Sequence, residues 1–164
     1  DVDRIMKDAQ AAIDGVKDKI NGLEKPNIAI FSIYDGTCYI TLDNSWVGSM
    51  IADMGGKNVF SGIDSKTVTV EEAYVRARDA DVIIYTPTSQ YIPDIKAFED
   101  VFPMIKDCKA YKDDKVYQYT IEFWRGIDQS QIMATDLATI LYPDKLPSTK
   151  LTYFNKIAGV EKND

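Results

Sequence analysis

Five side chains in two aromatic stretches of the chain, residues 34–46 and 120–128, are best suited to bind a ligand. They are Tyr39, Trp46, Glu122, Trp124 and Arg125. An indole ring offers a flat apolar face with a donor at one edge, so two tryptophans could form the walls of a shallow site. The guanidinium of Arg125 could pair with a carboxylate or an anionic chelate. Glu122 could accept hydrogen bonds from a ligand or hold Arg125 in place.

Each of these residues also has a purely structural explanation. A tryptophan at the exit of a strand often closes the edge of the core, and Trp46 fits that description. If Phe123 points into the core, strand alternation turns Trp124 outward, where it could meet a ligand. Arg125 could form a surface ion pair of small energetic value. Tyr39 could be an ordinary amphipathic surface aromatic, so the residue types alone leave both explanations open.

Composition argues against catalysis and against a metal or cofactor site. The 164 residues contain no histidine, which removes the commonest general base and transition-metal ligand. Two cysteines, Cys38 and Cys108, are too few for a structural zinc site; they could form one disulfide or be two buried thiols. No phosphate-binding loop, nucleophile elbow or paired-cysteine motif is present. We therefore predict no catalytic residue, no metal ligand and no cofactor.

Charge and hydropathy argue against two further classes of protein, nucleic-acid-binding proteins and proteins that span a membrane. The formal net charge of −7 disfavours binding to nucleic acid, because an acidic surface repels phosphate backbones. No run of about 18 apolar residues is present, so we expect no membrane span. The first residues already follow helical spacing, and we therefore expect further sequence upstream.

The hydrophobic pattern predicts helices alternating with short buried strands. Helical spacing, caps and breakers predict helices over 3–23, 45–54, 69–78, 94–100, 130–142 and 148–157. Short apolar runs predict strands over 27–33, 59–60, 81–85 and 115–119. Gly55 and Gly56 read as the end of the second helix rather than part of a phosphate loop. The remainder, including 34–43, is predicted as loop.

Such alternation predicts an α/β domain with a mainly parallel central sheet flanked by helices. Ligands of these sheets usually bind beyond the carboxyl ends of the strands. That rule points to three loops, at 34–44, 86–93 and 120–129, and two of them contain the aromatic stretches.

Four stretches, in their order and spacing, resemble a known family. Residues 54–60 read Met-Gly-Gly-Lys-Asn-Val-Phe; 69–84 combine Thr-Val-Glu-Glu-Ala with Ala-Asp-Val-Ile-Ile; 110–117 read Ala-Tyr-Lys-Asp-Asp-Lys-Val-Tyr; and 137–144 read Leu-Ala-Thr-Ile-Leu-Tyr-Pro-Asp. Together they resemble the C-terminal lobe of class III periplasmic binding proteins, which carry ferric siderophores, cobalamin or haem to ABC importers. Ala80 stands where that family often has proline.

The resemblance implies a single Rossmann-like lobe and a transport role. Residues 1–24 resemble the end of the family's interlobe helix and 25–164 its C-terminal lobe, the N-terminal lobe lying outside this sequence. Tyr39, Trp46, Glu122, Trp124 and Arg125 would then face the interlobe cleft. The implied ligand is a metal chelate, with a ferric siderophore the leading candidate and a corrinoid or haem as alternatives.

The same resemblance implies a partner and a compartment. In that family, an exposed acidic residue lies near the start of the helix after the first loop. This residue contacts the membrane permease. The matching position is Asn44, and Asp43 beside it could take that role. The location would be extracytoplasmic, periplasmic or at the cell surface, with a membrane anchor in the full-length protein.

Two other functions are compatible with a lobe of this architecture. One is a metalloenzyme lobe of the nitrogenase-component or chelatase type, although such enzymes usually need clustered cysteines or a histidine. The other is a sensor or interaction module that contacts a membrane receptor without transport.

Overall fold

A computed structural model describes residues 1–86, 95–120, 123, 127–146 and 150–157. Within them the strands are β1 (Asn27–Tyr34), β2 (Thr37–Ile40), β3 (Lys57–Asn58), β4 (Thr67–Thr69), β5 (Val82–Tyr85), β6 (Val116–Tyr119) and β7 (Phe154–Lys156). The α-helices are α1 (Val2–Ile20), α2 (Trp46–Asp53), α3 (Val70–Ala77), α4 (Ile95–Val101), α5 (Lys109–Lys112) and α6 (Ser130–Leu141). Short 3-10 helices span Pro103–Asp107 and Ile127–Gln129.

These strands form one mixed sheet in the order β4-β2-β1-β5-β6-β7, with β3 also pairing with β1. The pairs that β1 forms with β3 and β5, and β5 with β6, are parallel. Strands β2, β4 and β7 pair antiparallel with their neighbours. The fold is therefore the predicted α/β class, a Rossmann-like lobe with a mostly parallel sheet flanked by helices.

Each face of the sheet packs against its own group of helices. In β1, Ile28 and Ile30 join a core with α1, α2 and α6, whereas Ala29 and Phe31 join a core with α3, α4 and α5. All four are essentially inaccessible to solvent. A strand covered on both faces is a continuous apolar run, as the sequence predicts for 27–33.

Local signals set the ends of α2 and α3. The Ser45 hydroxyl accepts a hydrogen bond from the Gly48 amide at 3.0 Å, and the Thr69 hydroxyl accepts one from Glu72 at 3.1 Å. Both are N-caps that satisfy an amide otherwise lacking an intrahelical partner. Gly55, at φ 78°, follows α2 as expected, since only glycine adopts that conformation without steric cost.

The expected loop at 34–43 is instead the second half of a hairpin. Strand β2 pairs with β1 across a turn at Asp35 and Gly36, both with positive φ. Cys38 and Ile40 are buried and Tyr39 between them is exposed, which is the alternation of a strand with one covered face. Strand β4 extends this hairpin and was likewise not predicted.

The helix predicted over 148–157 is wrong. Its described part contains β7, which pairs antiparallel with β6. Tyr153, Phe154 and Ile157 are buried, at spacings that also fit one face of a helix. Contacts with β6 therefore decide between the two conformations.

Smaller differences concern strand position and the region before β6. The strand expected at 59–60 lies two residues earlier, at β3. The stretch 101–114, expected to be irregular, contains the end of α4, a 3-10 helix and α5.

Cys38 and Cys108 are both buried and free, so neither forms a disulfide. Burial raises the pKa of the Cys38 thiol to about 12 and that of Cys108 to about 11. Since the thiolate is the reactive form, both behave as small core residues.

Candidate ligand-binding cleft

An open, largely apolar cleft of about 410 Å³ lies where β5 and β6 end. Its walls are Tyr39, Ile40, Thr41, Leu42, Ser45, Trp46, Val47, Lys66, Thr86 and Tyr119. Thr86 follows β5 directly, and Tyr119 is the last residue of β6. The cleft therefore occupies the position that the carboxyl-end rule predicts for a ligand site in such a sheet.

Two neighbouring elements present the exposed aromatic side chains of the cleft. Tyr39 lies on β2 between Ser32 of β1 and Thr67 of β4, and Trp46 is the first residue of α2. Tyr39 is 44% exposed and Trp46 is 40% exposed. Both rings therefore keep surface that a ligand could cover, while their backbones are held by a sheet and a capped helix.

Trp46 is also the outer member of a packed aromatic cluster formed by Trp46, Tyr119, Phe123 and Phe154. The Trp46 and Phe123 ring centroids are 6.0 Å apart, and Phe123 stacks on Tyr119 at 3.7 Å. Phe154 meets the Tyr119 ring edge-on at 5.5 Å. The structural and ligand-binding explanations of Trp46 thus coexist, because one part of the ring closes the core and another lines the cleft.

Tyr119 lies at the buried end of this cluster. Burial raises the pKa of the Tyr119 hydroxyl, so the residue is neutral at physiological pH. Phe123 is fully buried, as expected if it points into the core. Trp46 and Tyr119 of this cluster line the cleft, and the buried Phe123 and Phe154 pack against them.

Of the predicted ligand contacts, the structure brings Tyr39 and Trp46 together on one cleft. Glu122, Trp124 and Arg125 lie outside the described residues, as does most of the loop at 86–93. Lys66 and Tyr119 were missed, and Thr86 was indicated only as the first residue of the predicted loop at 86–93. The carboxyl-end rule could have found Tyr119, whereas Lys66 precedes a strand that the sequence did not predict.

Asp43 and Asn44 lie outside this cleft, and both are exposed. The Asp43 carboxylate accepts a hydrogen bond from the Ser61 hydroxyl at 2.5 Å and one from the Asn58 side-chain amide at 3.1 Å. These neutral donors orient the carboxylate without cancelling its charge.

In the part of the chain that the structure describes, no group of three or more Cys, Asp or Glu residues could hold a metal ion. Of the helices described, none has both the length and the apolar character that crossing a membrane requires.

A family model for periplasmic binding proteins matches residues 2–121, which is most of the chain. The chain belongs to the periplasmic binding protein family. The family resemblance read from the sequence is therefore confirmed. No curated protein sequence is significantly similar to this chain.

Solved structures show the same fold at low sequence identity. A periplasmic haem-binding protein from Pseudomonas aeruginosa matches with a TM-score of 0.72 and 13% identity over 95% of this chain and 57% of its own. A Helicobacter pylori protein with Ni(II) bound matches with a TM-score of 0.70 and 16% identity, over 92% of this chain and 48% of its own. An ABC transporter substrate-binding protein from Listeria monocytogenes matches with a TM-score of 0.68 and 19% identity, over 86% of this chain and 57% of its own. This chain spans about half the length of these periplasmic binding proteins.

Proposed function

We propose that this chain is the C-terminal lobe of the substrate-binding component of an ABC importer. Residues 1–24 would be the end of the interlobe helix and 25–164 the lobe itself. The family match and the half-length coverage of related structures support this division. The N-terminal half of α1 also supports it, because Val2, Ile5 and Met6 each have 60% or more of their surface exposed to solvent. Such an apolar stripe suits contact with a second lobe.

The apolar cleft with its exposed Tyr39 and Trp46 carries the proposal. We infer that its ligand is a metal chelate, with a ferric siderophore as the leading candidate and a corrinoid or haem as alternatives. The similar fold of the Pseudomonas aeruginosa haem-binding protein and of the Helicobacter pylori protein with Ni(II) bound supports this class of ligand. Glu122, Trp124 and Arg125, on the loop after β6, would complete this side of the site.

The function is capture and delivery without chemical conversion, so we infer a carrier and not an enzyme. The cleft is open, whereas small-molecule sites usually bury 70–90% of a ligand's surface. The second lobe would supply the missing cover. We infer an extracytoplasmic location, periplasmic or at the cell surface, with a membrane anchor in the full-length protein.

Delivery requires a surface that meets the permease. We assign it to Asp43 and Asn44, which are exposed and lie outside the ligand cleft. This separation would leave them free for docking while a ligand is bound.

Calorimetry with a ferric trihydroxamate, cobalamin and haem tests the proposal, on this chain alone and on the full-length protein. We expect at least one chelate to bind the full-length protein, and to bind the chain alone roughly a hundredfold more weakly because half the contacts are missing. Trp46→Ala should weaken binding to the full-length protein about tenfold or more.

Tyr34→Ala is the matched control, because Tyr34 is an exposed aromatic outside the cleft. It should leave the affinity unchanged. Equal affinity of the isolated chain and the full-length protein would contradict the two-lobed site, and a Trp46→Ala variant with full affinity would contradict this cleft.

A further inference from the structure

The ligand cleft differs in charge from the rest of the chain. The chain has 26 acidic and 19 basic residues, yet no Asp or Glu is among the described residues that line the cleft. The charged residue that does line it is Lys66. Among the described residues, this surface thus carries a cation beside the exposed aromatic rings and no carboxylate.

The backbone of Lys66 is held in place by the hairpin that carries Tyr39. The Lys66 carbonyl accepts a hydrogen bond from the Ile40 amide at 3.0 Å, and the next residue, Thr67, pairs with Tyr39. The Thr67 amide also donates to the Ser65 hydroxyl at 3.2 Å. The backbone from which the Lys66 side chain extends is therefore held by the same strand pair as one aromatic wall.

The ammonium group of Lys66 has no ionic partner among the described residues. Lys106, Lys109 and Lys156 each form an ion pair with a nearby carboxylate. Lys66 is exposed and forms none. Pairing with a ligand would therefore break no ion pair formed within the described part of the chain, and an apolar ligand surface that excludes water would strengthen the interaction.

We propose that Lys66 selects ligands that combine a flat or apolar body with an anionic group. The body packs against Tyr39 and Trp46, and the anionic group pairs with the Lys66 ammonium. This inference rests on the proposed function and deepens it, because it places anionic chelates above neutral ones.

Two matched pairs of probes test this selection in the full-length protein by tryptophan fluorescence titration. The first compares an anionic ferric tris-catecholate with a neutral ferric trihydroxamate; the second compares haem with haem dimethyl ester. Lys66→Gln should weaken binding of the anionic member about tenfold and leave the neutral member within about twofold. Lys66→Arg should retain the affinity.

Ionic strength gives a second readout. Binding of the anionic probe should weaken as salt rises in the wild type and lose most of that dependence in Lys66→Gln, because screening acts on the lost charge pair. Lys25→Gln is the control, since Lys25 is exposed, has no ion pair among the described residues and lies outside the cleft. Lys25→Gln should change neither the affinity for the anionic probe nor the salt dependence of its binding.

Failure of this inference is separable from failure of the proposed function. If Trp46→Ala weakens every bound probe while Lys66→Gln changes none, the cleft stands and the role of Lys66 is wrong. Equal weakening of anionic and neutral probes by Lys66→Gln also overturns it, because that result indicates a structural role. If no probe binds, or if neither variant changes binding, both proposals fail.

Discussion

Gly48 shows how closely α2 approaches the chain that leads into it. A Cβ atom at this position would lie 1.9 Å from the Leu42 carbonyl oxygen and 2.9 Å from the Asp43 Cα. Both atoms belong to the backbone, so they cannot rotate away as a side chain could. The missing side chain at Gly48 therefore lets α2 start where Trp46 reaches the cleft.

We expect Gly48→Ala to lower the free energy of unfolding by about 3 kcal/mol or more, because backbone must move to relieve the overlap. Gly15→Ala is the contrasting variant in α1, where a Cβ would meet nothing within 4 Å. It should raise stability by about 0.5–1 kcal/mol, since alanine is the better helix former. Urea unfolding of both variants measures the difference. Similar effects at the two sites would contradict the close approach.

At the scale of elements, a buried carboxylate joins α6 to the segment that enters β7. One oxygen of Asp136 accepts hydrogen bonds from the Thr152 and Tyr153 amides, both at 2.8 Å. Asp136 is only 4% exposed, and desolvation raises the pKa of its carboxyl against the lowering effect of these amides. The carboxylate thus satisfies two backbone donors that the turn before β7 leaves without strand partners.

Asp136→Leu removes the acceptor of both amides and should cost about 2–4 kcal/mol of stability. Asp136→Asn keeps an oxygen acceptor and should cost less. The raised pKa means that the folded state binds a proton more tightly than the unfolded state. The contribution of Asp136 to wild-type stability should therefore fall as pH rises above about 4, until the pH passes the pKa of this carboxyl in the folded state.

The Asn variant lacks this titration, so its stability relative to the wild type should improve from pH 4 to pH 7. Denaturant unfolding across that range measures the change. Asp64→Asn, at an exposed position, is the control for the loss of one carboxylate and is measured over the same pH range. A constant difference between Asp136→Asn and the wild type would show that Asp136 does not titrate differently in the fold.

At the scale of the whole molecule, the lobe offers two separate surfaces. Tyr39, Trp46 and Lys66 line the proposed ligand cleft, whereas Asp43 and Asn44 are exposed beyond it. The hairpin and the start of α2 connect the two surfaces within a few residues. A ligand and a permease could therefore contact the same lobe at once.

Asp43→Asn should weaken binding to the cognate permease in nanodiscs, most strongly at low salt, because one negative charge is lost from the proposed docking surface. The asparagine oxygen can still accept the hydrogen bond from the Asn58 amide, and its NH2 group can donate to the Ser61 hydroxyl, which can also act as an acceptor. The fold should therefore be unchanged. We expect a loss of about fivefold to tenfold in affinity, measured by surface plasmon resonance.

Asp64→Asn makes the same charge change at an exposed position outside the docking surface and should bind the permease normally. Chelate affinity should be equal in both variants. Equal weakening of permease binding by the two substitutions would indicate a general charge effect and would remove Asp43 from the docking surface.

Local physics explains which elements were predictable. Helix α3 begins at Val70, directly after its N-cap Thr69, because a threonine followed by Glu71 and Glu72 suits a helix N-terminus. The Thr69 hydroxyl accepts a hydrogen bond from the Glu72 amide. Strand β1 was found because a run buried on both faces is apolar throughout. Strands β2, β4 and β7 carry weaker signals, since each contains only three or four residues. The edge strands β4 and β7 also pair with partners that are distant in sequence.

By itself, the sequence determined the α/β alternation, the caps of α2 and α3 and the absence of histidine chemistry. Each depends on residue type or on neighbours within about one helical turn. Only the tertiary structure decided that Tyr39, Trp46 and Lys66 share a cleft with Thr86 and Tyr119. That assembly depends on the pairing of β4 with β2 and the packing of α2 against the sheet, which join residues far apart in the chain.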